Sequence, residues 1–443
     1  MFDFRVQEKA KGAGTRQCYF LIIILTFQLG ILQQGAAKDT GQDKTMATQQ
    51  QQDPSTDFSI LAGINNEFAT DIYQLLSKGA PSNANIFISP FSILSAMAMT
   101  YAGSRNETKF QMDRVLRFGK YSGEDLHASF QTLNSVLFGK KDNYTLECAN
   151  KLYARKGYNF LQDYLALTRS FYGAELEEKD FATKPEEARL EINQWVEEQT
   201  AEKIKNLLPE GAINSLVAMV LVNAVYFKGN WASQFDPKQT QKAPFQLTST
   251  NKIQVDVMYQ KSKFPLGYSE ELECQILEIP YVGKDLSMLI YLPDKIDGLK
   301  DLESKMTSSL LETTTRDLFP ETVMVKLPKF KLTEEYRLHE KLSQMGMPDL
   351  FTEGVADLSG MDGTRMLFLS QVHHKAFIDV NEEGTEAAAA TAAVVMLRSA
   401  RPRNITFVAD HPFLFFIRDN KSGAVLFMGR LQMPAGPAVK DEL

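Results

Sequence analysis

Cysteine and histidine are scarce in this chain, three and five respectively in 443 residues. The five histidines are scattered, and neither a G-x-S-x-G elbow, an H-E-x-x-H helix, a P-loop nor a paired C-x-x-C occurs. These absences lead us to expect no enzyme, no resident metal and no cofactor. A basic surplus is missing too: the net charge is −7, and polyanion binding calls for a positive face, so nucleic acid is excluded as a general partner. Lys140 and Lys141 beside Asp142 read as a solvated turn, with a glycosaminoglycan patch as the alternative. What is present is a globular composition, 44% hydrophobic and 23% charged, in a chain long enough to bury a large core.

The two ends carry addresses. Arg5, Lys9, Lys11 and Arg16 precede the apolar stretch Cys18–Leu32, and the small residues Gly35, Ala36 and Ala37 follow. This is the pattern of a secretory signal at 1–37, cut after Ala37. Gln28 and Gly30 interrupt the apolar run, which falls short of the roughly 20 residues a spanning helix needs, so no membrane span is expected. Residues 38–56 are a polar, Gln-rich lead with too little apolar surface to fold. At the other end a tail, 436–443, closes on Lys440-Asp-Glu-Leu443, the signal read by the receptor that retrieves luminal proteins to the endoplasmic reticulum. Removal of the signal takes Cys18 with it and leaves Cys148 and Cys274, expected as two buried free thiols. Asn106, Asn143, Asn404 and Asn420 each open an N-x-S/T triplet and are candidate glycan acceptors.

Between about 57 and 435 no repeat or Pro-rich linker divides the chain, which predicts a single domain. Helical periodicity dominates the first half, including Ile93–Ala102 and a helix with Ile192, Trp195 and Val196 on one face. Thr183 and Glu186 have the spacing of a capping box. Leu216–Phe227 is a long apolar run with β-branched residues, as expected of a strand buried on both faces. Met288–Leu292 and Val323–Leu327 predict further strands. Helices first and strands later indicate an α+β fold.

Glu382-Glu383-Gly384-Thr385-Glu386 leads into Ala387, Ala388, Ala389 and Ala390, and then through Thr391 to Val394 and Val395. Alanine favours helix and the valines favour strand, so the run has no single preference. As a strand, it would carry Thr385, Ala387, Ala389, Thr391, Ala393 and Val395 on one face, with nothing bulky to obstruct entry into a sheet. This stretch resembles the hinge of an inhibitory serpin. Further patterns resemble the same family in the same order: Asn85–Ser92, Asn223–Trp231 with Phe235–Pro237 after it, Met345–Met347, Ala356–Met361 and Ala409–Ile417.

The resemblance implies a serpin fold, three β-sheets with about nine helices, and an exposed reactive loop over about 382–403. Counting back from the scissile bond, the family places its hinge glutamate seventeenth and glycine fifteenth, which makes Arg398–Ser399 the reactive bond. An arginine there implies a trypsin-like serine protease as partner. Arg398 and Arg401 together also resemble the R-x-x-R preference of furin-like convertases, although Pro402 disfavours cleavage after Arg401. The family's sheet-opening residues fall on Ser89, Ser92, Asn223 and His374, and its loop-entry tryptophan on Trp231. Each also has a plain reading: Asn223 as a satisfied buried amide, Ser89 as a helix cap, His374 as a structural histidine whose neighbour His373 faces the other way, and Trp231 as core. The implied protein is a monomeric suicide substrate, secreted or held in the endoplasmic reticulum. The alternative is a non-inhibitory, serpin-fold chaperone of that compartment; the intact alanine run speaks against it.

Overall fold

A computed structural model describes residues 54–121, 125–138, 143–174, 176–383 and 405–434. The signal, most of the polar lead, Lys140 to Asp142, the reactive loop from Gly384 with Arg398 and Ser399, Asn404 and the C-terminal tail lie outside the described residues.

The first half builds helices: α1 (Pro54–Gly79), α2 (Pro90–Gly103), α3 (Asn106–Leu116), α4 (Asp125–Leu137), α5 (Gln162–Tyr172) and α6 (Pro185–Gln199). Helix α1 begins at Pro54, inside the segment read as tail; proline suits a first turn because its missing N–H has no partner there anyway. Helix α2 is buried almost all round. Its last residue is Gly103, where a Cβ would come within 2.2 Å of Met361 Cγ. The glycine therefore lets the Ala356–Met361 segment close onto the helix end. Four shorter helices follow in the second half: α7 (Leu299–Lys305), α8 (Ser308–Arg316), α9 (His339–Met345) and α10 (Ser359–Asp362).

The predicted capping box does not form. Helix α6 starts at Pro185, and Thr183 donates its amide at 2.9 Å and its hydroxyl at 2.6 Å to the Asp180 carboxylate, while Glu186 pairs with Arg189. Pro185 takes the first helical position, and Asp180 outcompetes the helix end for the threonine hydroxyl.

Five strands form one sheet in the order β10 (Phe330–Arg337), β11 (Gln371–Val380), β4 (Met219–Gly229), β2 (Tyr144–Arg155), β3 (Glu177–Lys179). The predicted apolar run is its central strand, although it starts later than expected, because Leu216 is 81% exposed. One face of β4 packs on the main core; Val220, Val222, Ala224 and Tyr226 on the other pack under α6 and the connector that follows it. Strand β4 pairs antiparallel with β2 but parallel with β11, Val220–Phe227 against Gln371–Ile378.

The second sheet has nine strands: β1 (Ile86–Ile88), β14 (Val425–Leu431), β13 (Phe413–Asp419), β8 (Leu286–Pro293), β7 (Cys274–Pro280), β6 (Lys252–Ser269), β9 (Phe319–Pro328) and β12 (Ile405–Val408), with β5 (Gln241–Gln246) beside β6. The 18-residue β6 pairs with β5 at its start, β9 along its middle and β7 at its end. What the resemblance counts as a second and a third sheet are thus joined through one strand.

Candidate functional site

The register of the five-stranded sheet aligns Tyr336, His374, Asn223 and Asn150 across β10, β11, β4 and β2. Beneath this row lie Ser89 and Ser92 at the start of α2. The backbone N–H of Ser89 donates to His374 Nε2 at 3.1 Å, so Nε2 carries the lone pair and the proton of the neutral ring sits on Nδ1. That Nδ1–H donates to Asn223 Oδ1. Asn223 then donates from Nδ2 to Ser92 Oγ and to Asn150 Oδ1. One amide thus ties three strands to the helix below. Tyr336 stacks on His374 with ring centroids 6.3 Å apart, and its hydroxyl accepts from the Phe87 amide at 3.3 Å.

His374 is wholly buried, and desolvation pushes its pKa down to about 3. It stays neutral throughout the physiological range. His373, on the opposite side of the strand, is buried too, bonds Gln371 Oε1 at 2.6 Å and is lowered to about 4. Among the described residues no three metal-binding side chains converge. Ser89 occupies the cap position of α2, but its hydroxyl donates to Leu426 O at 2.8 Å instead of capping the helix.

A second cluster lies where β11 ends. Trp231 is stacked on Tyr281 at 4.6 Å, and its indole N–H donates to Asn381 O at 2.9 Å. The Phe235 amide donates to Glu382 O at 3.0 Å, and Gln234 Nε2 to Glu383 O at 3.3 Å. The Glu382 carboxylate accepts from Thr240 Oγ1 and pairs with Lys329, each at 2.7 Å. Burial alone would raise its pKa, but the hydrogen bonds from Lys329 and Thr240 and the lysine charge outweigh this and hold it below the ordinary glutamate value. The last described residues before the loop are therefore held by both backbone and side chain. Residues 384–404 run from this anchor at the end of the five-stranded sheet to β12, which lies parallel to β9 in the other sheet.

Of the hinge residues, Glu382 and Glu383 are placed, and Gly384, Thr385, Glu386 and Ala387 to Ala390 lie outside the described residues, as does the Arg398–Ser399 bond. Reading the sequence did not find Asn150, Tyr336, Thr240 or Lys329. Only strand pairing reveals them, although a lone asparagine between Ala149 and Leu152 was a usable signal. Both described thiols are free; Cys274 is buried, whereas Cys148 keeps some exposure, with Sγ 3.4 Å from Ser92 Oγ. Asn106 sits at the exposed start of α3 and donates from Nδ2 to Asp357 at 2.7 Å. Asn143 is half-buried just before β2. Asn420, in the turn between β13 and β14, donates from Nδ2 to both Lys284 O at 3.0 Å and Ser287 Oγ at 2.7 Å. No helix among the described residues is long and apolar enough to cross a membrane.

Comparison with known proteins gives this arrangement a family. The model of the family "Serpin (serine protease inhibitor)" matches residues 63–434. A leukocyte elastase inhibitor of Equus caballus is 48% identical over 380 residues, covering 84% of this chain and 99% of its own. Uncleaved ovalbumin superposes with a TM-score of 0.77 at 34% identity, covering 84% of this chain and 100% of its own. A highly specific serpin of the insect Tenebrio molitor superposes at 0.74 and 33% identity, covering 84% and 98%. These findings correct the bare expectation of no enzyme, which rested on missing motifs: the family and its inhibitor relatives give the chain a defined class, protease inhibitor. The chain belongs to the serpin family of serine protease inhibitors.

Proposed function

We propose that this serpin is a suicide substrate for a trypsin-like protease, which attacks the Arg398 carbonyl and is trapped as an acyl-enzyme when the cleaved loop enters the five-stranded sheet. The observation that carries this reading is the pairing of β4 and β11. They are parallel neighbours, and the loop leaves the end of β11. A segment that turned back from that end would run antiparallel to both. Insertion would replace one parallel ladder with two antiparallel ones, the slightly more stable pairing per residue. A dozen new backbone hydrogen bonds at about 0.5–1.5 kcal/mol each, with burial of the Thr385, Ala387, Ala389 face, supply a drive large enough to deform an attached protease. The native form is then metastable and held by its barrier.

Arginine at 398 supports a target with an acidic specificity pocket. The equine relative is named for elastase, so this chain's target class rests on its own residue. Arg398 with Arg401 keeps a furin-like convertase as the second reading, since an R-x-x-R segment stands in the loop. The apolar stretch after Met1 and the closing Lys440–Leu443 support entry into the secretory pathway and retrieval by the receptor for that signal, where Asn106, Asn143, Asn404 and Asn420 would meet the glycosylation machinery.

The test is to mix the purified protein with trypsin and resolve the products on a denaturing gel. We expect a covalent band at the summed mass and a released fragment beginning at Ser399. Cleavage with no complex would overturn the trapping mechanism, and a fragment beginning at Pro402 would move the reactive bond to Arg401. Replacing Thr385 or Ala387 with Arg is expected to slow insertion and yield cleavage without trapping.

A further inference from the structure

The sheet face beside the loop's return carries charge of one sign. Residues 384–404 lead into β12, which lies against β9, and β9 lies against β6. On β6, Met258, Gln260 and Phe264 are buried, whereas Lys261 and Lys263, on the other face, are exposed. Directly opposed residues share a face, so the register sets Lys263 beside Thr322, Lys261 beside Met324 and Thr406, and Tyr259 beside Lys326 and Val408. Three lysines stand in three successive rows, and none of the rows contains a carboxylate. Among the described residues Lys263 and Lys326, both exposed, have no ion-pair partner. On a chain whose net charge is −7, like charges gathered in this way oppose folding and favour a partner that brings acid.

Chain length bounds how far such a partner can be. Six peptide units separate Ser399 from Ile405, a reach of at most about 22 Å. The three strands β12, β9 and β6 span only about 10 Å from first to last, whereas a protease of about 200 residues has a radius of gyration of about 16 Å. A protease closed on the Arg398–Ser399 bond therefore has these strands within its footprint. Lys263 and Thr322 lie one row before the Ile405–Val323 pair, on the side from which the loop arrives. Charges brought within a Debye length, about 8 Å at physiological ionic strength, still act on one another.

We infer that Lys261, Lys263 and Lys326 form a docking surface for an acidic patch beside the catalytic cleft of the target protease, so that among proteases accepting arginine this chain captures acidic ones fastest. The inference rests on the suicide-substrate reading above and narrows its target. Arg398 selects the specificity pocket, and the lysines select the surface around it. Charges at the rim of an interface act mainly on the association rate and fade with salt. They act before the acyl-enzyme forms, so they leave the partition between trapping and release unchanged.

Anionic and cationic trypsin share the preference for arginine and differ in surface charge, which makes them the probe pair. The association rate constant of the wild-type protein with anionic trypsin is expected to fall about fivefold or more between about 50 and 500 mM NaCl. The double variant Lys263→Glu with Lys326→Glu should lose about tenfold with anionic trypsin at the lower salt, lose nothing with cationic trypsin, and consume the same number of inhibitor molecules per protease trapped. Lys263→Gln with Lys326→Gln should fall between it and wild type. The same charge reversal at two exposed lysines elsewhere, Lys78→Glu on α1 with Lys203→Glu on the connector after α6, should stay within about twofold of wild type. An equal loss in this control would reduce the effect to net charge and overturn the site, as would a rate with anionic trypsin that the change at 263 and 326 leaves untouched. Cleavage of wild type without trapping would count against the proposed function alone, because the rate of loop cleavage still reads the docking step. No cleavage by either trypsin would overturn both.

Discussion

The two sheets of this molecule are held together in opposite ways. In the nine-stranded sheet, β8, β13 and β14 are buried along nearly their whole length, and Phe87 stacks between Phe415 and Phe427 with ring centroids 5.8 and 5.2 Å apart. In the five-stranded sheet, the centre of the β4–β11 boundary carries an asparagine and a histidine joined by a hydrogen bond, with another asparagine and two serines around them. Interlocked aromatics are costly to part because nothing replaces the lost contacts. Polar groups exchange partners with a smaller loss. The sheet opening that the proposed trapping calls for thus has a physical counterpart: a polar seam in one sheet and aromatic packing in the other.

The largest test of this contrast is Phe415→Ala. It removes a ring from the permanent core and should cost about 3–5 kcal/mol, read as a large fall in the urea midpoint. The folded fraction should still trap protease in unchanged proportion. Asn223→Ala acts on the other sheet. It leaves the His374 Nδ1–H without an acceptor and takes one partner each from Ser92 and Asn150, and should cost about 3 kcal/mol, with faster conversion to a loop-inserted, non-inhibitory form on a native gel. If the alanine at 415 changed the trapping ratio and the alanine at 223 did not, the contrast would be reversed.

Acid provides a subtler test. His374 is held near 3 by burial and titrates near 6.5 when unfolded. Its folded value is depressed, so its contribution to stability is fully present above about 6.5 and is lost as pH falls from there toward 3. At pH 5 the loss is about 2 kcal/mol. His127 and His373, both lowered to about 4 by burial, act in the same direction. Urea midpoints at pH 7 and 5 should therefore differ less in His374→Gln than in wild type. Smallest is Lys329→Ala. Lys329 is 38% exposed, and its loss should cost only about 0.5–1 kcal/mol. Its effect should fall on the Glu382 anchor and shorten the lifetime of the inhibitory form at 37 °C.

How legible all this was depended on whether the signal was local. The run around Val220 to Phe227 announced a buried strand because a strand covered on both faces needs apolar residues at every position. Fold class followed from element order and the resemblance. Asn150 was not legible, because its meaning lies in standing opposite Asn223 across a strand pair, and register is not written in one strand alone. Thr183 and Glu186 misled because a correct local spacing met a stronger competitor, Asp180, and a proline that set the start of α6. The partner of Glu382, Lys329, lies at the junction of β9 and β10, far away in sequence.

Sugar chemistry meets one small turn with a particular demand. An N-glycosidic bond replaces one of the two hydrogens on an asparagine amide. Asn106 gives one of its pair to Asp357 and keeps the other. Asn420 gives both, to Lys284 and Ser287. A saccharide transferred there while the chain is still emerging would bring the β13–β14 turn one hydrogen too few, so a decorated Asn420 would fold with one of these two bonds missing, whereas Asn106 could carry a saccharide and keep its bond.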